Sequence, residues 1–565
     1  MNAFSRLLKN QRFIFGFICF LVLVIPLGVA QSRGGCRSGC GGGGGGTTLT
    51  TFTTADFSGS GNCAMCHSGL RDSAGNDVSL DTHWRSTMMA NAAKDPLWQA
   101  KIDSEVLRSP ALQPVIEGKC SRCHTHMARV QAVTNGSPVA VLGDGFLNPS
   151  HYLNAAAMDG VSCTLCHQIQ DSNLGQPESF TGNYVIDTST VAPDRLIFGK
   201  FPNPMQGPMR MHVGYTPTQG NQTVDAGLCG ACHTLYTPIV DARGNVLGEF
   251  PEQVTYLEWR HSGFGDGAGT DQTCQACHLP PAVGGVKISN RPMRLSARSP
   301  FELHYLVGGN TFMVNVLKGH ITELGVTAST AQLDATLARL NTQLQNNTAT
   351  LSVSSAQLAN GVLTLTLNAQ NKAGHKLPSG FPSRRAWIHL VVTNHNGGMV
   401  FESGKPQNDG CIMGNDTDPD PGTYEPHFDL ITAADQVQIY EPIMLDSYGK
   451  VTYTLLRAAS YAKDNRLLPA GFDKTTADPD IAVMGEAAQD SNFVGGSDQV
   501  SYQINVQGAS MPLTITAKLL YQTVSCRFAA DLGLDSTTLV QRFIGYYTSA
   551  DKTPALLASI LHTIP

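Results

Sequence analysis

From about residue 348 onward, apolar and polar residues alternate with a period of two. Leu351-Ser-Val-Ser and Val362-Leu-Thr-Leu-Thr-Leu are the clearest runs, and such runs put one apolar face on a strand. Asn360-Gly361 lies between them and predicts a tight hairpin, because both residue types tolerate positive φ. Ala386 to Val392, the turn Asn394-His-Asn-Gly-Gly and Met399-Val-Phe predict a second hairpin. Val437–Tyr440, Val451–Leu456, Val500–Val506 and Leu513–Tyr521 add further strands. Short strands at regular spacing predict a β-sandwich over 346–525. A short helical tail is expected over 526–565.

Ahead of residue 346 the pattern differs. Ser299 to Leu344 reads as helical and ends in a Gln/Asn-rich stretch. Between Gly61 and Pro281 long periodic segments are few. Thr82 to Val106 is a plausible helical piece, and loops rich in Gly, Pro, Asn and Asp separate such pieces. A loop-rich, mainly α domain is expected over 61–345.

The N-terminus carries a different signal. Arg6, Lys9 and Arg12 precede an uncharged apolar run from Phe13 to Ala30, and Gly28 and Ala30 are small residues at cleavage-site offsets. Residues 1–30 therefore read as an export signal cleaved near Gln31, with an uncleaved membrane anchor as the alternative. Cys36 stands apart from the run and is a poor lipidation site. Residues 31–60 are rich in Gly and Thr and read as a flexible linker. Cys36 and Cys40 lie within it. Either reading places the remainder outside the cytoplasm, in the periplasm, at the outer membrane or on the cell surface.

Composition sharpens this picture. With 565 residues, more than one folded unit is expected. The net charge of -6 excludes a strongly basic nucleic-acid binder. Charged residues make up only 15%, below the usual ~25%, which suits a chain that buries apolar cofactor.

Ten of the fifteen cysteines fall into five identical patterns: Cys63-Ala-Met-Cys66-His67, Cys120-Ser-Arg-Cys123-His124, Cys163-Thr-Leu-Cys166-His167, Cys229-Gly-Ala-Cys232-His233 and Cys274-Gln-Ala-Cys277-His278. In c-type haem attachment two thiols bond the two vinyl groups, two residues span the gap, and the next His ligates the iron from the proximal side. Zinc sites and disulfide frameworks do not require a His directly after the second Cys. Chance would supply on the order of 0.01 such motifs in this chain. Five covalent haems c are therefore expected, with the motif histidines on the irons. They leave roughly 45 residues per haem, too few for a conventional core around each, so the haems must themselves be much of the core. Packed so tightly, they would lie within electron-tunnelling distance.

Each iron needs a second axial ligand or stays open. His151 lies twelve residues before Cys163 and His261 thirteen before Cys274, which suggests a repeated ligand-then-motif design. His304, on a helix-like stretch beyond the last motif, is a similar candidate, with His83 and His212 behind it. Each has the ordinary fate of a surface histidine as its alternative. His126 is too close to His124 to reach the far face of the same haem, and His320 reads as a solvated helix residue. Met88, Met89, Met205, Met209 and Met211 are rival ligands, more economically read as apolar packing.

The chain at this point resembles the multihaem cytochrome c proteins of metal- and mineral-reducing bacteria, distantly cytochrome c-554-like. The resemblance runs from about residue 60 to about 505. It rests on Gly160-Val-Ser-Cys163-Thr-Leu-Cys166-His167-Gln-Ile, Leu257-Glu-Trp-Arg-His261-Ser, Val307-Gly-Gly-Asn310 and Gly374-His375-Lys-Leu-Pro378-Ser-Gly380-Phe-Pro-Ser-Arg-Arg385-Ala-Trp387. It implies that His375 is a distal haem ligand that docks the β-domain on the haem domain. Without it, His375 reads as a turn residue. It also implies electron transfer with redox partner proteins, other multihaem cytochromes or an extracellular acceptor. The family often has Pro where this chain has His126, which weakens that residue further.

Two smaller signals remain. Asp416-Thr-Asp418-Pro-Asp420-Pro-Gly422 spaces carboxylates like a calcium loop, but His427 stands where an EF-hand needs Glu. A solvated acidic loop is the alternative. Cys411 and Cys526 are free to pair in an oxidising compartment. Three functions stay open: an electron carrier, a reductase of nitrogen or sulfur oxyanions with one open haem, and a membrane-anchored quinol-oxidising subunit. An enzyme needs an open iron with acid–base groups beside it. No motif replaces its His by Lys, and candidate ligands exceed the five required, so the carrier is the leading expectation.

Overall fold

The attachment motifs sit on short helices, and the reason is geometric. On a helix, positions i, i+3 and i+4 share one face, so a C-x-x-C-H run presents both thiols and the imidazole together. Ser60–His67, Gln113–His124 and Cys274–His278 are helical through the whole motif, whereas Cys163–Cys166 and Ala226–Gly230 end before the histidine. Asp225 and Thr273 cap two of these helices, accepting from the N–H groups of Gly227 and Ala276. The computed structural model describes residues 48–565 apart from 266, 268, 270, 271, 416 and 417. The expected signal or anchor, Cys36, Cys40 and Asp416 lie outside the described residues.

Helices elsewhere are shorter than their apolar patterns suggest. The Thr82–Val106 expectation divides into Leu80–Trp84 and Pro96–Arg108. Pro96 occupies the first turn of the second helix, where its missing N–H costs nothing, and the Asp95 carboxylate caps it. The Ser299–Leu344 expectation divides into Thr311–Gly319 and Thr330–Asn347, the latter opened by a Ser329/Gln332 capping box. His304 lies in a turn ahead of both, since Pro300 and the Gly308-Gly309 pair exclude a stable helix there.

Four strands belong to the motif region. β1 (Leu196–Gly199) and β2 (Thr216–Gln219) pair in parallel, and β3 (Leu235–Val240) and β4 (Val246–Gln253) form an antiparallel hairpin. Eleven follow: β5 (Ala349–Ala359), β6 (Val362–Asn371), β7 (Arg385–Thr393), β8 (Met399–Ser403), β9 (Leu430–Ile431), β10 (Ile439–Tyr440), β11 (Pro442–Asp446), β12 (Ala458–Asp464), β13 (Ser497–Asn505), β14 (Leu513–Gln522) and β15 (Ala555–Ile564). One sheet has the order β5-β6-β13-β9. A second runs β10-β7-β14-β15, with β8 on β7. Leu363, Leu365 and Leu367 of β6, and Ile388, Leu390 and Val392 of β7, enter one shared core. Asn360 (φ 52°) and Gly361 (φ 76°) make the β5–β6 turn, as a two-residue hairpin requires.

Two segments depart from their patterns. Val451–Leu456 is not a strand. Leu455 and Leu456 instead donate their backbone N–H groups to the Glu105 carboxylate, and their side chains join the core around Phe57, Ile102 and Ile116. Tertiary docking overrides β-propensity there. The C-terminal tail has helices Cys526–Leu532 and Thr538–Ser549, but it ends in β15, which pairs with β14 along its length.

The two halves of the described chain are locked by buried charge. Lys101 bonds Glu105 and the Tyr453 carbonyl, and Arg108 reaches Asp531 and Asp535. Cys411 and Cys526 form a disulfide. Asp418 does not face an open calcium loop: both its oxygens take the buried Arg385 guanidinium, and Oδ2 also accepts the Ile412 N–H. The Asp420 carboxylate caps Gly422. Among the described residues, no helix is long and apolar enough to cross a membrane.

Candidate functional site

A branched cavity of about 1770 Å³ runs through the motif region and reaches the loop 372–384 of the β-region. Ordinary small-molecule pockets span about 300–1,000 Å³. Nine of the ten motif cysteines, all but Cys66, and all five motif histidines line it, together with His304 and His375. None of the ten motif cysteines is joined to another in a disulfide.

The ring nitrogens are oriented alike. Nδ1 of His67 lies 2.7 Å from the Ile288 carbonyl, Nδ1 of His124 2.9 Å from Ala92, and Nδ1 of His167 2.6 Å from Phe198. His278 does the same with Val307, His304 with Glu302 and His375 with Lys376. A carbonyl can only accept, so Nδ1 carries the proton in all six and the Nε2 lone pair is free. That is the tautomer a metal-bound imidazole adopts, its other nitrogen held by a backbone carbonyl. Burial favours the neutral form at five of these rings and at His233. His124, His233 and His304 are pushed down to about 4, and His67, His167 and His278 are lowered in the same direction. Neutral imidazole is the ligating form.

Two pairs of these rings face one another. His167 and His304 have centroids 6.4 Å apart with planes 26° apart, and His278 and His375 have centroids 6.4 Å apart with planes 11° apart. Two metal–nitrogen bonds of about 2 Å, plus about 1.1 Å from nitrogen to centroid on each side, sum to about 6.2 Å. The spacing therefore fits one metal ion between two imidazoles.

The remaining candidates are placed differently. His151 accepts the Leu153 N–H on Nδ1, and His261 donates from Nε2 to the Asp473 carbonyl. Both rings carry the proton on Nε2, and neither lines the cavity. His212 is exposed. His83 is buried, packs edge-on against Tyr305 at 4.7 Å and leaves its Nδ1 without a partner. His126 is fully buried with an unpartnered Nε2. Met88, Met89 and Met209 line the cavity, whereas Met205 and Met211 are exposed.

Whether five haems fit can be asked of the donor set itself. A zinc or thiolate site needs its ligand atoms to converge. Among the described residues, only Cys411–Asp418–Cys526 and His427–Asp490–Asp498 bring three such atoms within 4.8 Å of one another. No C-x-x-C-H motif does. The first group is the disulfide beside the Arg385 ion pair. In the second, His427 Nδ1 faces the amide nitrogens of Gln438 and Asn465. Backbone N–H groups hold both amide oxygens, so this Nδ1 can only accept and Nε2 keeps its proton, the wrong tautomer for a metal. Arg384, on the cavity wall, has a buried Nε without a partner in the protein. An acidic group at a haem edge would satisfy it. The residues present fit haem c.

The motifs also approach one another through their sulfurs. Cys63 neighbours Cys163, Cys123 neighbours Cys232, and Cys229 neighbours Cys274. Burial raises the Cys166 thiol to about 12.

No family model and no curated protein matches this chain. Among solved structures it is similar to the crystal structure of a penta-heme cytochrome c552 from Thermochromatium tepidum, with a TM-score of 0.46 and 15% identity, over 89% of this chain and 98% of that one. A functional reading stands on the cavity's own geometry rather than on this likeness.

No sequence signal marks the carbonyl partners of the proximal rings, because any residue supplies a carbonyl. The nearest usable hint was Val307 in Val307-Gly-Gly-Asn310, which proves to hold His278.

Proposed function

We propose that this protein is a multihaem electron carrier that binds five haems c at its five C-x-x-C-H motifs. The carrying observation is the common tautomer of six cavity histidines, two pairs of which stand at the spacing of a shared metal ion. Cys63/Cys66 with His67, Cys120/Cys123 with His124, Cys163/Cys166 with His167, Cys229/Cys232 with His233 and Cys274/Cys277 with His278 would hold the groups. His304 would ligate opposite His167, and His375 opposite His278.

When bound, haem supplies the one-electron chemistry. The chain would attach each group, fill two axial positions with imidazoles and exclude water. The neighbouring sulfurs would set the first haem by the third, the second by the fourth and the fourth by the fifth. At those two irons bis-imidazole ligation would leave no position for a substrate, which favours electron transfer there over reduction of a bound substrate. Export, and redox partner proteins or an extracellular acceptor outside the cytoplasm, complete the reading.

A carbon monoxide titration of the fully reduced, purified protein tests it. The carrier reading expects no stoichiometric binding. One haem equivalent of binding would show an open iron and favour the reductase.

A further inference from the structure

Glu258 is completely buried on the short helix Thr255–Arg260, and a lone carboxylate in such a place needs a reason. Its Oε2 accepts the Lys376 backbone N–H at 3.2 Å and the Ser379 hydroxyl at 2.6 Å. Its Oε1 lies 2.8 Å from Arg466 Nη1. Arg466 also clasps Asp464 through two nitrogens, both at 2.8 Å, and Asp464 takes the fully buried Lys376 ammonium at 2.7 Å. Two cations and two anions thus form a closed, neutral, water-excluded tetrad. It joins a helix of the motif region to β12 and to the loop 372–384. The loop carries His375 immediately before Lys376, and the Lys376 carbonyl receives the His375 Nδ1 proton at 2.8 Å.

We propose that Glu258 is the positioning residue for His375: by gripping the loop on both sides of Leu377-Pro378, it fixes the ring opposite His278. This rests on the reading of His375 as an axial ligand. Glu258 touches neither ring. It acts through the backbone of Lys376, whose N–H it binds and whose carbonyl sets the His375 tautomer. The ion pairs with Arg466 and, through Asp464, Lys376 keep the grip electrically neutral. An unpaired member would place a net charge beside the fifth attachment site, where low dielectric leaves it poorly screened.

The test uses full-length holoprotein. Glu258→Ala should turn one haem equivalent per chain CO-reactive and high-spin while the others stay low-spin. Glu258→Gln keeps an oxygen for Ser379 and the Lys376 N–H, so it should restore the low-spin, CO-inert state. It also leaves one uncompensated positive charge, which should raise the potential of one haem. Lys376→Gln leaves one negative charge and should lower it. A merely structural role would move both potentials the same way. An inert Glu258→Ala overturns the proposal. If that variant does not accumulate, potentials of Glu258→Gln and Lys376→Gln that shift alike, or not at all, overturn it instead. His375→Ala separates the two failures: if it too stays CO-inert, His375 is not a ligand and the underlying reading falls.

Discussion

His278 and His375 are 97 positions apart in the chain, yet their rings stand nearly parallel with centroids 6.4 Å apart. Their Nδ1 protons point away, one to Val307 and the other to Lys376. This pairing ties the last attachment motif to the first loop beyond β6. An axial bond between them would staple the motif region to the β-region, in addition to the Arg108 ion pairs.

Removing a distal imidazole should open one iron. His375→Ala and His304→Ala should each make one haem equivalent per chain bind carbon monoxide, and the double variant two. His151→Ala and His261→Ala should bind none, because those rings keep their proton on Nε2. Optical titration of the reduced proteins reads all five.

The Cys411–Cys526 disulfide spans 115 residues. Replacing both cysteines by serine should cost about 2–5 kcal/mol. Chemical denaturation of oxidised and variant protein measures it.

Arg385 and Asp418 are both fully sequestered and bonded through both carboxylate oxygens. Asp418→Ala strands a buried guanidinium and should cost about 3–5 kcal/mol. Calcium should neither protect nor stabilise the native protein, a point that melting curves with calcium and with chelator decide.

Asp498 gives a pH signature. Burial, reinforced by Asp490 and Asp429, pushes its carboxyl up to about 7. The folded state therefore holds this proton more tightly than the unfolded chain. The stabilisation is complete below about pH 4 and is lost as pH rises towards 7, by on the order of 4 kcal/mol at most. His427, kept neutral down to about 4 by burial, contributes the opposite slope between about 4 and 6.5. Comparison with Asp498→Asn isolates the carboxyl. The stability of wild type relative to this variant should fall steadily from pH 4 to 7, and a flat difference would refute the assignment.

Much of the architecture was legible in the sequence. The alternation in Val362-Leu-Thr-Leu-Thr-Leu and the Asn360-Gly361 turn define a hairpin locally, so no distant contact was needed to read it. The five C-x-x-C-H motifs were equally plain, since they are read from adjacent positions alone. The placement of the candidate distal histidines was not legible in the same way. The matching offsets of His151 and His261 pointed to ligands, yet the structure turns both rings to backbone partners. His304 stood in an apparent helix that Pro300 and Gly308-Gly309 dissolve. Val451–Leu456 looked like a strand until Glu105, some 350 residues earlier in the chain, claimed its N–H groups. Such contacts depend on tertiary placement, and no window of sequence contains them.

The most direct measurement is the intact mass of the purified, denatured chain. Covalent attachment at all five motifs predicts an increment of five haems that survives denaturation, with ten thiols unavailable to alkylation. A mass equal to the bare polypeptide, with the motif thiols free, would contradict it.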